Sequence, residues 1–345
     1  MRRRTAAFSL PLSAFPLLHR EAAAQVPATA DSGSPLTANP AAFDGIGRTI
    51  ETQYTDVESV VVVRKGQVLF EHYNTSTEAL RDVHSVTKSV LSLAVGSALG
   101  QGAIRSLDQP VSELLGVVEK PEAANSQAPV TVRHLLTMTA GFSPQERFVP
   151  GTGDSLSFLL ERQRVAPPGT VFAYDNLSSN LLSLVLEAAI GKQVASYAQE
   201  VLFRPLGITA YEWAKGANGH ALGFSGLRLR TRDMAKLGEL ALNTGHWSGA
   251  QVVPQGYVRE AMAPQNAGGP PVGLPYGFLW WVVPSQRARP TFFASGWGGQ
   301  FIWVHPPLDL VMATTSRGSD DANRRGHALK LIRTELFRAS VAANP

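Results

Sequence analysis

Strand-forming stretches stand at both ends of this chain with a helical block between them, and no other feature restricts the fold as much. Near the start, Ser59-Val60-Val61-Val62-Val63-Arg64, a Lys65-Gly66 turn and Gln67-Val68-Leu69-Phe70-Glu71-His72-Tyr73 make a β-hairpin pattern. Its β-branched run predicts a central, well-buried strand. Near the end, residues 276–283, 291–294, 301–305 and 310–315 follow one another like an antiparallel meander. A glycine- and proline-rich loop at 267–275 precedes them. The two ends therefore predict an α/β (α+β) lobe built discontinuously from 41–106 and 222–345, with a helical lobe at 107–221 inserted between them. A cleft between two such lobes is the expected place for a site.

Helix signals fill in the rest. A short amphipathic helix carries Phe43, Ile46 and Ile50, and a second short helix within 130–142 is stopped at Gly141. A buried helix over 180–190 ends at Gly191, a further helix over 231–242 takes Thr231 as its N-cap, and a last one covers 321–338. No internal repeat is present.

At 345 residues, 44% hydrophobic and 17% charged, the chain suits one large or two intimately packed soluble domains. It has no cysteine, which excludes disulfides, thiol nucleophiles and thiolate metal sites. The net charge of +4 is concentrated in residues 1–25, whose four arginines and one glutamate leave only +1 for everything else. No nucleic-acid footprint survives that subtraction. Arg2-Arg3-Arg4, an apolar run over 5–18 too short to span a bilayer, and Ala22-Ala23-Ala24 read as an export signal over 1–25, followed by a linker over 26–40. Export to the periplasm or medium is the expectation, and a disordered arm on a cytoplasmic protein is the alternative.

Chemistry enters at His84-Ser85-Val86-Thr87-Lys88, which heads the apolar segment 89–99. On a helix the i,i+3 spacing stacks Lys88 above Ser85, so a desolvated amine meets a hydroxyl that needs a base. This is the chain's only S-x-x-K. Downstream, Tyr174-Asp175-Asn176 offers a phenol and an amide two residues apart. A nearby ammonium would lower the phenol's pKa and let it relay a proton. The plain alternative is a loop tyrosine packed on the next helix, with Asn176 as the cap. In Ser295-Gly296-Trp297-Gly298-Gly299-Gln300 the glycines mark a close approach of substrate to an edge strand, where N–H groups complete an oxyanion hole with the amide of Ser85. A hairpin turn is the plain alternative there. Trp297 is a candidate wall for an apolar substrate pocket. The chain has no G-x-S-x-G, H-E-x-x-H, phosphate-binding loop or G-x-G-x-x-G. Its eight histidines are scattered and read as structural, His84 beside the serine included, and no metal or cofactor is expected.

Together the three motifs, in this order and spacing, resemble the serine β-lactamase-like family, in the branch holding class C β-lactamases, D-alanyl-D-alanine peptidases, family VIII-type carboxylesterases and 6-aminohexanoate-dimer hydrolase. The resemblance spans nearly all of 55–335 and is supported by His134-Leu135-Leu136-Thr137-Met138-Thr139-Ala140-Gly141, Thr231-Arg232-Asp233-Met234-Ala235-Lys236-Leu237-Gly238 and Tyr276-Gly277-Phe278-Leu279-Trp280-Trp281. It implies a β-lactamase/transpeptidase-like fold, an antiparallel sheet flanked by helices with an inserted helical domain. It also implies Ser85 as the acylated nucleophile, Lys88 and Tyr174 sharing acid and base work, Asn176 bonding Lys88 and substrate, and the N–H groups of Ser85 and Gln300 holding the oxyanion. Where many relatives carry Lys-Thr-Gly, this chain has Trp297-Gly298-Gly299, which is similar to the esterase and amide-hydrolase side of the family. The reading is thus a serine hydrolase acting on a small ester or amide. β-Lactamase or peptidase activity, or a slowly acylating peptidoglycan sensor, are the alternatives. Oligomeric state is not read from the sequence.

Overall fold

The computed structural model describes residues 40–117, 128–143, 155–286 and 288–343. The segment read as an export signal and all but the last residue of the linker lie outside the described residues. So do residues 144–154.

One antiparallel sheet of eight strands carries the molecule. Its strands are β1 (Val57–Arg64), β2 (Gln67–Tyr73), β3 (Asn266–Gly269), β4 (Leu274–Tyr276), β5 (Trp281–Val282), β6 (Phe292–Gly296), β7 (Gln300–His305) and β8 (Leu310–Ser316). They lie in the order β2-β1-β8-β7-β6-β5-β4-β3, so the two ends of the chain meet where β1 pairs with β8, Val60 opposite Thr314. Every residue of β8 is buried, which requires both sheet faces to be covered. The Thr231–Leu242 helix packs on β1, β8 and β7, and the C-terminal helical run packs on β7 and β8. Thus the α/β class and the antiparallel sheet flanked by helices hold.

The segment headed by the serine is the Val86–Gly100 helix, buried from Val86 through Ala98. Because it is apolar all round, it belongs inside the molecule, and it packs against β6 and the Asn176–Ile190 helix. A three-stranded ribbon of Arg81–Asp82, Leu227–Leu229 and Glu212–Trp213 lies at its head. Among the described residues, no helix is long and apolar enough to cross a membrane.

Local expectations fail in instructive ways. The second short helix ends at Leu136, five residues before Gly141, because Met138 turns left-handed at φ 57. Residues 276–283 are not one strand: Leu279 sits at φ 60 and its N–H donates to Leu136 O, which separates β4 from β5. The loop expected at 267–275 instead contributes β3 and β4, the sheet's edge hairpin. Thr231 does not cap its helix. Arg230 holds that position, and the Thr231 hydroxyl shares a 2.5 Å hydrogen bond with Ser59. The C-terminal helix over 321–338 is broken at Gly326 and continues to Ala342.

Candidate active site

Ser85 stands on the turn before its helix. The preceding residue, His84, is held at φ 47 by its N–H donating to Asp82 Oδ1 (2.7 Å) and its C=O accepting from the Thr87 amide and hydroxyl. A non-glycine residue in this region is strained, and here the strain aims the serine. The i,i+3 geometry forms as expected, with Lys88 Nζ 3.0 Å from Ser85 Oγ. Nζ also lies 2.9 Å from Asn176 Oδ1 and 3.1 Å from the Phe224 carbonyl oxygen. The ribbon delivers Phe224. In the same segment, Gly223 donates to Asn180 Oδ1 and presses so close to Ser179 O that a Cβ would collide.

Electrostatics follow from burial. Lys88 is 1% exposed, and desolvation pulls its amine from its usual 10.5 down to about 7, against the opposing pull of Asp175. Both carbonyl partners can only accept, so a neutral amine directs its two N–H bonds to Asn176 and Phe224. Its lone pair is then left facing the Ser85 hydroxyl.

Tyr174 stacks on Trp281 (5.8 Å between centroids) and meets Tyr276 edge-on at 6.2 Å; its ring centroid is 4.8 Å from Lys88 Nζ. The expected lowering of its pKa is corrected: burial pushes the phenol up to about 12, only partly offset by the approach of the Ser85 hydroxyl. At neutral pH it is a proton donor. Asp175 caps the Asn176–Ile190 helix, taking Leu177 and Ser178 N–H, so Asn176 is not the cap and is free to face Lys88.

The third motif is arranged differently from its reading. Strand β6 is interior, but β5 pairs only with Phe292 and Phe293, so among the described residues Ala294, Ser295 and Gly296 have no strand on that side. The close approach is to protein: a Cβ on Gly296 would collide with Val83 O, two residues before Ser85. Trp297, Gly298 and Gly299 form the tight turn into β7. Gln300 lies opposite Gly296 in the ladder, 1% exposed, and its side chain is tied to Trp297 O and to both backbone groups of Ser316. At this corner the backbone amides of Ser85, Trp297 and Gly298 have no backbone partner among the described residues. The Trp297 indole, 53% exposed, packs against the His84 ring at 5.6 Å and over Gly318. Phe224, Asp175 and the Trp297 amide were missed by sequence reasoning. Two act through backbone atoms that any residue carries, and Asp175 was quoted without a role.

The family model described as Beta-lactamase matches residues 50–335. The chain is 26% identical over 323 residues to the 6-aminohexanoate-dimer hydrolase of Paenarthrobacter ureafaciens, covering 80% of this chain and 76% of that one. A solved family VIII carboxylesterase shares the fold with a TM-score of 0.67 at 17% identity, over 87% of this chain and 99% of that one. The octameric penicillin-binding protein homologue from Pyrococcus abyssi does so with a TM-score of 0.68 at 18% identity, over 88% and 78%. By the extent of the family match, this chain belongs to the Beta-lactamase family and is a serine hydrolase.

Proposed function

We propose that Ser85 is the nucleophile and that the substrate is a small, uncharged carboxylic ester, with an amide as the slower alternative. The observation that carries the roles is Lys88 Nζ, 3.0 Å from Ser85 Oγ and also bonded to two obligate acceptors, an arrangement in which the neutral amine would turn its lone pair to the serine. Ser85 Oγ attacks the carbonyl carbon as its proton passes to Lys88. The Ser85 and Trp297 N–H groups receive the oxyanion, each worth about 3 kcal/mol in a preorganised site. Tyr174 donates a proton to the leaving oxygen, the alcohol departs, and water reverses the sequence to release the acid. The Asn176 side-chain amide nitrogen remains to orient the substrate. Ester preference is supported by the missing strand lysine: Ala294-Ser295-Gly296-Trp297 offers no cation for a substrate carboxylate and sets an open indole beside the serine.

The test is turnover of p-nitrophenyl acetate and butyrate, a chromogenic cephalosporin and a linear amide oligomer, each beside Ser85→Ala. Ester turnover should exceed the others and fall about 10⁴-fold or more in the variant. A single stoichiometric burst without turnover would point to the sensor instead.

A further inference from the structure

The acid between Tyr174 and Asn176 has no part in the chemistry above, yet it adjoins two residues that do and its field reaches a third, Lys88. Asp175 and Arg162 are each 3% exposed and paired at 2.6 Å, Nη1 to Oδ2. Asp175 Oδ2 also accepts from the Ser178 amide (3.0 Å) and hydroxyl (2.6 Å), and Oδ1 accepts from the Leu177 amide (3.2 Å). Arg162 donates its other Nη to Ser143 O at 2.7 Å and lies 4.9 Å from the Phe142 ring centroid, so it ties the 142–143 segment to the head of the Asn176–Ile190 helix. An ion pair buried this deeply gains little net stability over an apolar pair of the same volume, so stability alone gives it a weak reason to exist.

We propose that Arg162 and Asp175 are a positioning pair for the base: the carboxylate fixes the Tyr174–Asn176 loop, and the guanidinium cancels its charge so that Lys88 faces a neutral pair instead of a bare anion. The inference rests on Lys88 being the base. The groups that face Lys88 are Ser85 on its own segment, Tyr174 and Asn176 from the helix head and the Phe224 carbonyl from the ribbon, with the field of Asp175, itself paired to Arg162, acting on it; Tyr276 abuts Tyr174 from β4. Asp175 is the charged group whose field favours the Lys88 ammonium, in opposition to burial. Removing the anion thus makes the neutral amine easier to form. Removing the guanidinium leaves the anion uncancelled and makes it harder.

The experiment compares kcat/KM against pH for the full-length enzyme, Asp175→Asn, Arg162→Gln and Arg162→Lys on p-nitrophenyl butyrate, with Tm recorded for each. Asparagine keeps one acceptor oxygen for the cap, and its acid limb should move down by about one pH unit. The Arg162→Gln limb should move up by a similar amount, and Arg162→Lys should return it most of the way. A merely structural pair would lower Tm in all three and leave the limbs unmoved, or move them all in one direction, and either result overturns the inference. A wild type lacking an acid limb near neutrality would overturn the Lys88 reading and this inference with it. A limb present but unmoved would overturn the inference alone.

Discussion

The two walls of the cleft are built on opposite principles. The inner wall, Lys88 with Asn176, Phe224 and Tyr174, is built around a buried amine held by two acceptors, and its properties come from the desolvation of that amine. The outer wall is the Trp297-Gly298-Gly299 turn, with a half-exposed indole resting on His84 and Gly318 and with the Trp297 and Gly298 amides lacking a backbone partner among the described residues. In the proposed mechanism reactivity belongs to the first wall, where a desolvated amine titrates near neutrality, and selectivity to the second, where apolar surface is left uncovered for something else to cover. The difference teaches that one substitution should disturb either rate or binding, according to the wall it strikes.

The largest break comes from Lys88→Met. Removing the base should lower kcat for p-nitrophenyl butyrate by about 10³-fold or more. The same change should raise stability. The folded amine titrates near 7 and its usual value is 10.5, so between those values the unfolded chain binds more protons and folding is opposed. Wild-type stability therefore climbs as pH rises through that window, and the methionine variant loses the slope. Calorimetry at pH 7 should show a gain of about 5 °C. A loss of Tm would place Lys88 among the stabilising contacts and erase the contrast between the walls.

Tyr174→Phe sharpens the comparison on the inner wall. The ring keeps its stack on Trp281, while the proton donor is lost. Hydrolysis of ethyl butyrate, whose alkoxide needs a proton to leave, should fall about 10²-fold. For p-nitrophenyl butyrate, whose leaving group needs none, the loss should be much smaller, and equal losses would deny Tyr174 the acid role.

On the outer wall, Trp297→Ala keeps the backbone amide and deletes the indole. KM for p-nitrophenyl butyrate should rise about tenfold with kcat nearly unchanged. Steady-state kinetics that show the reverse split would move the indole from binding to catalysis.

The parts legible in the sequence were those in which residue identity and spacing determine geometry. Ser85 and Lys88 meet because a helix turns every 3.6 residues, and the run 59–64 announced a buried strand by its β-branched side chains. The parts that stayed illegible were set by tertiary contacts or by the main chain. Residues 276–283 have strand chemistry throughout, yet the bond from Leu279 to Leu136 O overrides it. Thr231 looks like a cap, but the buried Ser59 hydroxyl claims it. Phe224 contributes only a carbonyl, and nothing in the residue types shows that the Gln300 side chain turns inward to hold Ser316. The pKa of Tyr174 was misjudged because proximity to Lys88 was weighed without the burial that the two residues share.

The sheet register bears on when activity first appears during synthesis. Val60 meets His72 early but its other neighbour only once Thr314 has left the ribosome, and the serine's helix is packed against a strand, β6, that is itself made late. Contacts so remote in sequence form slowly. The corner around Ser85 is consequently among the last features to assemble, and whatever depends on it waits for the end of translation.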